Sequence, residues 1–296
     1  MENTASRRGF LAGGAAAALP LSARGAEGTN PAPRDGLLQG KVAVVYGAAG
    51  SMGSAISRAF AHEGARVFLA GRTRATLDAL ASGLTRDGAS ATATVVDAMD
   101  PAAVEKHLET IVADAGGIDI SFNLIGIGGN QGQPLTGMTL ESFQEPIANA
   151  MRTQFITATA AARHMEKRGG GVILALTAQV ARKPYVASGG FGVACAAIEG
   201  LWRQLAVELG PTGVRLVTLR SAGSSDAPGV AAAIAEHAKV AGVSREVFES
   251  RIAEKTMLRR MPKMAEIADA AVFAASDRAS ALTAAVLNAT CGEIAD

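Results

Sequence analysis

Short, largely apolar runs alternate with helical patterns along most of the chain, and this alternation limits the possible folds more than any other feature. The runs lie at residues 42–46, 66–70, 91–96, 118–125, 172–176, 214–219 and 285–287. A run that is apolar at every residue, rather than at every second one, predicts a strand that is covered on both faces. Because helical segments separate these runs, the sequence predicts an α/β fold with a doubly wound parallel sheet in a single domain.

The N-terminal residues follow a different pattern. Ser-Arg-Arg-Gly-Phe-Leu at residues 6–11 is followed by an apolar stretch at 11–19 and by small residues at 21–23. This order is typical of a removable twin-arginine export signal. We therefore expect a signal at 1–26, a linker at 27–38, a folded domain at 39–296 and a periplasmic or otherwise exported protein. The alternative is an unstructured tail that contains the Arg-Arg pair by chance.

Composition bears on the choice of partners. The 296 residues carry a net charge of +1, no block of Lys and Arg, and only 4% aromatic residues. These values argue against binding of nucleic acid or of an anionic membrane surface. The apolar stretch at 11–19 is also too short to cross a bilayer. We therefore expect a small-molecule substrate, no nucleic acid and no membrane insertion of the mature protein.

A glycine-rich segment, Gly-Ala-Ala-Gly-Ser-Met-Gly at 47–53, directly follows the first strand and opens the first helix. Glycines in this place allow a tight turn and let backbone N–H groups approach a pyrophosphate at the helix N-terminus. The segment therefore predicts a dinucleotide site. The candidate binding residues are Gly47, Gly50, Ser51, Met52 and Gly53. The alternative is a glycine-rich turn without a ligand.

The end of the second strand indicates which dinucleotide is bound. No acidic residue stands there to bind the ribose hydroxyls of NAD. Arg72 occupies the position, and Arg74 follows closely. Because a guanidinium can pair with the 2′-phosphate of NADP, the sequence favours NADP over NAD. The alternative is that both arginines are ordinary solvated residues at the start of a helix.

Further motifs extend the pattern over most of residues 40–292. Asp97 ends the third strand, Asn-Leu-Ile-Gly at 123–126 follows the fourth, and residues 275–288 form a closing helix–turn–strand segment. In this order they resemble the short-chain dehydrogenase/reductase family. The resemblance implies a Rossmann fold, an NAD(P)-dependent oxidoreductase, an adenine contact from Asp97 and a cofactor-site role for Asn123. The chain departs from the family's turn at Ser51, where the family has its middle glycine.

Most of the family's catalytic residues are missing. The tyrosine position holds Phe191, the lysine position holds Cys195, and the serine position falls on Ala178. In the family the phenol transfers a proton, the lysine lowers the phenol pKa, and the serine steadies the substrate oxygen. Asn149 keeps the family's asparagine position, although an Asn after Pro146 can also cap a helix segment.

Two residues near these positions are candidates for the missing groups. Tyr185, on the loop before the altered helix, is the only tyrosine besides Tyr46. It is interpreted either as a relocated phenol or as an exposed loop residue without function. Thr177 lies one residue from the serine position, and since neighbours on a strand face opposite ways, it could serve only if the strand end is kinked.

The two cysteines and one histidine have simpler explanations. Cys195 lies among small apolar residues of a helix, so two separate buried thiols are favoured over a disulfide with Cys291. No neighbour in the sequence would lower the pKa of Cys195 and make it reactive. His164 is interpreted as a residue favoured by the dipole at a helix C-terminus, rather than as a catalytic acid or base.

Three functions fit these features. The first is an NAD(P)-dependent oxidoreductase that acts on a small carbonyl, alcohol or enone with a non-standard active site. The second is a catalytically inactive dinucleotide-binding protein with a sensor or assembly role. The third is a lyase or isomerase on the same scaffold. The resemblance also implies a homodimer or homotetramer, paired through helices at about 149–167 and 191–209, with the small faces at Ala158–Ala162 in the interface.

Overall fold

The computed structural model describes residues 36–129 and 131–295. The expected export signal at 1–26 and most of the expected linker lie outside these residues. Within them the chain forms one compact unit, and the linker prediction was too long at its end. Leu38 is completely buried, and its N–H donates to the carbonyl oxygen of Glu63 at 2.9 Å. The packed structure therefore includes residues 36–38.

Seven strands form one parallel sheet, as the apolar runs predicted. The strands are β1 (Val42–Tyr46), β2 (Arg66–Gly71), β3 (Ala91–Val95), β4 (Ile120–Asn123), β5 (Gly171–Ala178), β6 (Val214–Ser221) and β7 (Ala285–Ala289). Their order in the sheet is β3-β2-β1-β4-β5-β6-β7. This is the doubly wound α/β fold, and the prediction of the fold class is confirmed.

The described residues form eight α-helices. They are α1 (Ser51–His62), α2 (Arg74–Arg86), α3 (Pro101–Ala115), α4 (Leu140–Arg168), α5 (Gly189–Leu209), α6 (Pro228–Val240), α7 (Arg245–Lys255) and α8 (Met264–Ala275). Helix α3 begins at Pro101, and the Asp100 carboxylate accepts from the N–H of Ala102 at 2.9 Å. Such a cap satisfies one of the free N–H groups at a helix start.

The core has two layers, one on each face of the sheet. One layer packs the inner sides of α3, α4 and α5 against the sheet, and the other packs α1, α2 and α8. Successive residues of β1 alternate between the layers: Val44 and Tyr46 belong to the first, and Ala43 and Val45 to the second. The sequence of a strand that is buried on both faces is therefore a continuous apolar run.

The order of the strands fixes where a ligand can bind. The chain moves outward from β1 to β3, then returns to the centre and continues from β4 to β7, so the direction reverses between β1 and β4. In doubly wound sheets the loops at the carboxyl ends of the strands leave an opening at this reversal. A ligand site is therefore expected at the residues that follow β1, β4, β5 and β6.

Candidate active site

The glycine-rich turn between β1 and α1 has a geometry that only glycine allows. Gly47 has a φ of +72°, and a Cβ there would lie 2.7 Å from the Leu124 carbonyl oxygen. A Cβ on Gly53 would lie 2.2 Å from the Gly47 carbonyl oxygen. The turn thus lies directly against the loop after β4 and against the first turn of α1. Because its glycines have no side chains, they do not shield the backbone of the turn.

The start of α1 is suited to an anion. Gly50 is the residue before the helix, and among the described residues no side chain caps the first turn. The N–H groups of Ser51, Met52 and Gly53 therefore belong to an uncapped helix N-terminus, where the helix dipole also favours negative charge. These residues fit the pyrophosphate of a dinucleotide. Ser51, the departure from the family's turn, is the first residue of the helix.

The two arginines after β2 differ in whether their guanidinium groups are paired. The Nε of Arg74 donates to Asp78 Oδ2 at 2.9 Å, one turn along α2. Arg72 is exposed and has neither a hydrogen bond nor an ion pair with any residue in the described part of the chain. Its guanidinium is therefore available to a ligand at the carboxyl end of β2, whereas that of Arg74 is already paired.

Asp97 and Asn123 lie after β3 and at the end of β4. Asp97 is exposed, and its Oδ1 accepts from the N–H of Met99 at 3.0 Å. Asn123 is buried; its Nδ2 donates to Thr157 Oγ1 at 3.0 Å, and its Oδ1 accepts from the N–H of Ile125 at 3.0 Å. The Asn123 side chain thus ties the loop after β4 to α4. The predicted cofactor contacts of both residues stay predictions.

No side chain with a proton to transfer at neutral pH stands at the family's three catalytic positions. Ala178 ends β5, and Phe191 lies in the first turn of α5. Cys195 is fully buried, and this burial raises the pKa of its thiol to about 12. At neutral pH the group is therefore an uncharged thiol that replaces neither the charge nor the hydrogen bonds of a lysine. Cys195 and Cys291 are both free thiols.

The structure does not support the predicted substrate contact of Thr177. Its side chain is buried, and its Oγ1 donates to Glu199 Oε1 at 3.0 Å. The Nε and Nη2 of Arg220 donate to the two oxygens of the same carboxylate at 2.9 and 2.8 Å. Because the strand is not kinked at this point, Thr177 faces α5 and belongs to an internal network that joins β5, α5 and β6.

Tyr185 lies in a group of polar and aromatic side chains that come from separate loops and helices. Its phenol donates to Gln131 Oε1 at 3.1 Å, and its ring meets the edge of His237 with centroids 5.4 Å apart. His237 Nε2 lies 3.0 Å from the same Gln131 oxygen, and its ring stacks on Phe248 at 6.2 Å. We call Gln131, Tyr185, His237 and Phe248 the Tyr185 cluster.

The Tyr185 cluster holds its phenol in the neutral form. Burial raises the pKa of Tyr185 to about 12, and the nearby Cys195 and Glu293 add to the rise. Glu293 forms an ion pair with Lys183, which is two residues before Tyr185. The Lys183 Nζ lies 3.6 Å from Glu293 Oε1. Burial also lowers the pKa of His237, which favours the neutral imidazole. The cluster therefore provides neutral hydrogen-bond donors rather than charges.

Asn149 lies in the interior of α4, which runs without a break from Leu140 to Arg168. It is half-buried, and its carbonyl oxygen accepts from Thr153 Oγ1 at 3.0 Å. The helix starts instead at Thr139, whose Oγ1 accepts from the N–H of Ser142 at 3.2 Å. Asn149 is therefore not a helix cap, and its role in the site stays a prediction.

The structure gathers the cofactor-site candidates and Tyr185 at the carboxyl edge of the sheet. It adds Gln131 and His237, which the sequence reasoning did not single out as site residues. Gln131 follows a glycine-rich stretch after β4, so its place at this edge could have been inferred from topology. His237 lies on α6, and nothing local in the sequence indicates that it meets a loop more than a hundred residues away.

In the described part of the chain, no group of three or more His, Cys, Asp or Glu side chains could hold a metal ion. None of the described helices is both long and apolar enough to span a membrane.

The fold and the site together define a class of protein. A doubly wound sheet with an uncapped, glycine-lined helix start at its reversal point is the architecture of a dinucleotide-binding Rossmann protein. The family model described as enoyl-(acyl carrier protein) reductase matches residues 47–293. The chain belongs to the short-chain dehydrogenase/reductase family, whose members bind NAD(P) and act as oxidoreductases.

Known relatives cover nearly the whole folded part. The gluconate 5-dehydrogenase of Gluconobacter oxydans is 30% identical over 256 residues, 84% of this chain and 93% of that protein. The D-threitol dehydrogenase of Mycolicibacterium smegmatis is 29% identical over 250 residues, 84% of this chain and 91% of that protein. A solved 7α-hydroxysteroid dehydrogenase, in complex with NADH and 7-oxo glycochenodeoxycholic acid, aligns with a TM-score of 0.77 and 25% identity over 88% of this chain and 98% of that one.

Proposed function

We propose that the protein is an NADP-dependent reductase of a small carbonyl or enone compound, in which Tyr185 replaces the missing family tyrosine as the proton donor. The observation that carries the proposal is the hydrogen bond of 3.1 Å from the Tyr185 phenol to Gln131. This hydrogen bond holds a side chain with a transferable proton at the carboxyl edge of the sheet. The neighbouring family positions hold Phe191 and Cys195, which supply no such proton at neutral pH.

The state of the phenol favours reduction over oxidation. With a pKa of about 12, the Tyr185 side chain is almost completely protonated at neutral pH. It can therefore give a proton to a strong base, such as an alkoxide or a carbanion formed from the substrate, but it is a poor general base for an alcohol. Bound NADPH would supply the hydride for such a reduction.

The binding residues support a nicotinamide dinucleotide with a 2′-phosphate. The uncapped start of α1 fits the pyrophosphate, and the unpaired guanidinium of Arg72 fits the additional phosphate of NADP. The names of the relatives support a small substrate, since gluconate, threitol and steroid dehydrogenases act on hydroxyl or carbonyl groups. Among these classes we propose a carbonyl or enone substrate without assigning a particular compound.

One observation favours a second candidate, a dinucleotide-binding protein without catalysis. The three catalytic positions hold Ala178, Phe191 and a fully buried Cys195, so the lysine cation that lowers the phenol pKa in the family is missing from its position. Loss of general acid–base help costs about 10²–10⁴-fold in rate. A protein that binds NADPH tightly but reduces nothing would match this candidate.

One series of measurements distinguishes the two. Purified protein is titrated with NADPH and NADH by fluorescence and then assayed for NADPH oxidation with ketones, aldehydes and enones. We expect turnover, and we expect Tyr185→Phe to lower kcat by about 10²-fold or more while the NADPH affinity is unchanged. The control is Tyr46→Phe, which removes the chain's other phenol, whose buried ring packs against His107 of α3.

Three results would contradict the proposal. If neither cofactor binds, the assignment to a working dinucleotide site is wrong. If NADPH binds but no compound in the panel is reduced, the second candidate is favoured. If Tyr185→Phe turns over as fast as the unchanged protein, Tyr185 is not the proton donor.

We also propose that the chain is exported with the cofactor already bound, as the Arg-Arg pattern at residues 6–11 supports. The twin-arginine route carries folded proteins, which agrees with a protein that holds a cytoplasmic cofactor. Cell fractionation tests this proposal. Changing Arg7 and Arg8 to Lys should retain the protein in the cytoplasm, and an unchanged distribution would contradict export by this route.

A further inference from the structure

We propose that the side-chain amide of Gln131 donates a hydrogen bond to the substrate oxygen, the task that Ala178 cannot perform, and that His237 is the positioning residue that orients this amide. The inference rests on the proposed function, because it concerns the substrate that Tyr185 would protonate. It identifies the ligand as a carbonyl compound whose oxygen accepts two hydrogen bonds at once.

The orientation of the Gln131 amide follows from two hydrogen bonds to one atom. Its Oε1 accepts from the Tyr185 phenol at 3.1 Å and lies 3.0 Å from His237 Nε2. Because an amide group is planar, fixing the oxygen also fixes the nitrogen, which carries two N–H donors. Gln131 is half-buried, and its Nε2 has no acceptor among the residues that the structure describes. The N–H groups are thus held in place and free to bind a ligand.

His237 is suited to this task because its ring is held from two other sides. It stacks on Phe248 with an interplanar angle of 8° and meets the Tyr185 ring edge-on. A neutral imidazole that donates to an amide oxygen must carry its proton on Nε2. When the Tyr185 hydroxyl turns from Gln131 to a substrate, the bond from His237 keeps the amide oriented.

The loops that carry Gln131 and Tyr185 are joined by their backbones. The N–H of Gly132 donates to the Ala187 carbonyl oxygen at 2.9 Å. Ala187 has a φ of +63°, a conformation that costs free energy for a residue with a Cβ. The contact therefore holds a strained loop in a defined place, as a site that positions two donors requires.

The arrangement places two donors near one point. The Tyr185 phenol and the Gln131 amide are in direct contact, so a carbonyl oxygen that approaches the phenol also comes within reach of the amide N–H groups. Donors placed where negative charge develops on a carbonyl oxygen stabilise the transition state more than the ground state. Gln131 thus offers the interaction that a serine at position 178 would have given.

The test replaces each group separately. Gln131→Leu should lower kcat with a ketone by about 10²-fold, as removal of one oxyanion donor does in other enzymes. KM and the NADPH affinity should change less than threefold, because the interaction strengthens only as charge develops. His237→Phe keeps an aromatic ring on Phe248 but removes the N–H, and it should lower kcat by about tenfold. The thermal midpoint is measured for each variant.

A matched control comes from the same loop. The amide of Gln133 donates to the Gly137 carbonyl oxygen and does not contact the Tyr185 cluster. Gln133→Leu should leave kcat unchanged. Gln131→Met, with an unbranched side chain of similar length, repeats the test if the leucine variant does not fold.

A second readout does not depend on turnover. The chain has two tyrosines, so protein labelled with 3-fluorotyrosine gives two ¹⁹F signals, and Tyr46→Phe assigns the signal of Tyr185. Gln131→Leu and His237→Phe should both shift this signal in protein without substrate, and Gln133→Leu should not. An unshifted signal in the Gln131 variant would show that the Tyr185 cluster is not formed in solution and would overturn the inference.

The kinetic outcomes separate this inference from the proposed function. If the unchanged protein reduces a ketone and Gln131→Leu keeps its kcat within threefold, the inference is wrong while the proposed function stands. If Gln131→Leu raises KM and leaves kcat intact, Gln131 only shapes the binding site, and the inference is also wrong. If the unchanged protein shows no NADPH-dependent turnover, the proposed function itself fails.

Discussion

Residues that differ from the family at the catalytic positions change which side chains of the site can carry a charge or give up a proton. In the family a lysine cation beside the tyrosine lowers the phenol pKa. Here a fully buried Cys195 occupies that place as a neutral thiol, and the carboxylate of Glu293 acts on Tyr185 in the opposite direction. If Tyr185 acts as proposed, its phenol donates a proton to strong bases only, and the missing lysine and the raised Tyr185 pKa together favour reduction over oxidation.

In the proposed site, Arg72 is the residue that would distinguish NADPH from NADH. We predict that Arg72→Ala weakens NADPH binding by about tenfold, since a hydrogen-bonded charge pair with a phosphate contributes about 1.5–3 kcal/mol and exposure reduces it. NADH lacks the 2′-phosphate, so its affinity should not change. Fluorescence titration with both cofactors measures the difference.

The matched control for this prediction is Arg74→Ala. Arg74 is two residues away and is also exposed to solvent, but its guanidinium is paired with Asp78. Its loss should affect NADPH much less than the loss of Arg72. If Arg72→Ala weakens NADH and NADPH equally, or weakens neither, Arg72 does not recognise the 2′-phosphate.

At the scale of elements, the contact between β1 and α3 contains a buried polar pair. The rings of Tyr46 and His107 meet edge-on with centroids 6.1 Å apart. Neither the Tyr46 hydroxyl nor either ring nitrogen of His107 has a hydrogen-bond partner in the described part of the chain. Burial lowers the pKa of His107 to about 4 and raises that of Tyr46. This packing therefore tolerates only the neutral imidazole.

The His107 contact predicts how stability depends on pH. Between about pH 6.5 and pH 4 the unfolded chain binds a proton at this residue that the folded chain does not. The contribution of His107 to stability is therefore complete above pH 6.5 and falls as the pH drops toward 4. At pH 5 the loss relative to pH 7 is about 2 kcal/mol in the free energy of unfolding. Urea unfolding at the two pH values measures it.

His107→Leu isolates this effect. Leucine fills a similar space without a titratable group, so the difference in unfolding free energy between pH 7 and pH 5 should shrink by about 2 kcal/mol. His62→Leu, which removes an exposed histidine at the end of α1, serves as the control and should not alter the difference. An unchanged pH dependence in His107→Leu would mean that His107 is not held neutral by burial.

The elements themselves could largely be predicted from the sequence, because strands buried on both faces leave a clear apolar run. The largest difference in length was at β4, which was expected at 118–125 and spans Ile120–Asn123. Its ladder with β1 ends at the pair Tyr46–Asn123, because β1 gives way to the turn at Gly47. A strand's apolar run can continue beyond its ladder when the neighbouring strand ends first.

The positions of the predicted cofactor residues could likewise be inferred, since these residues follow strands whose ends topology brings together, and their contacts with a cofactor stay predictions. The Tyr185 cluster could be predicted from the sequence only in part. Tyr185 was noticed for its position in the loop, but its partners Gln131 and His237 come from distant segments, and no local pattern records their contact. Thr177 was considered for a substrate contact because the sequence does not show its true partner. Glu199, on the helix packed against that face of β5, accepts a hydrogen bond from the Thr177 hydroxyl.

At the scale of the whole molecule, the expected interface face of α4 needs correction. The small face at Ala158–Ala162 was expected between subunits, but Ala158, Ala160, Ala161 and Ala162 are buried within the chain's own core. The outward side of α4 exposes a different residue, Phe155, at 55%. On α5, Val193 and Val207 are also exposed, at 44% and 75%. Exposed large apolar side chains on two packed helices are typical of a surface that associates.

We therefore predict a homodimer or homotetramer whose interface includes Phe155. Phe155→Glu would place a charge in that interface, where an unpaired carboxylate loses its water, so the oligomer should dissociate at micromolar concentration. Light scattering after size-exclusion chromatography measures the mass. Leu140→Glu, at an exposed position in the first turn of the same helix, is the control and should keep the mass unchanged. A monomer for the unchanged protein, or an intact oligomer for Phe155→Glu, would contradict the prediction, and a folded monomer that still binds NADPH would show that each subunit holds its own cofactor site.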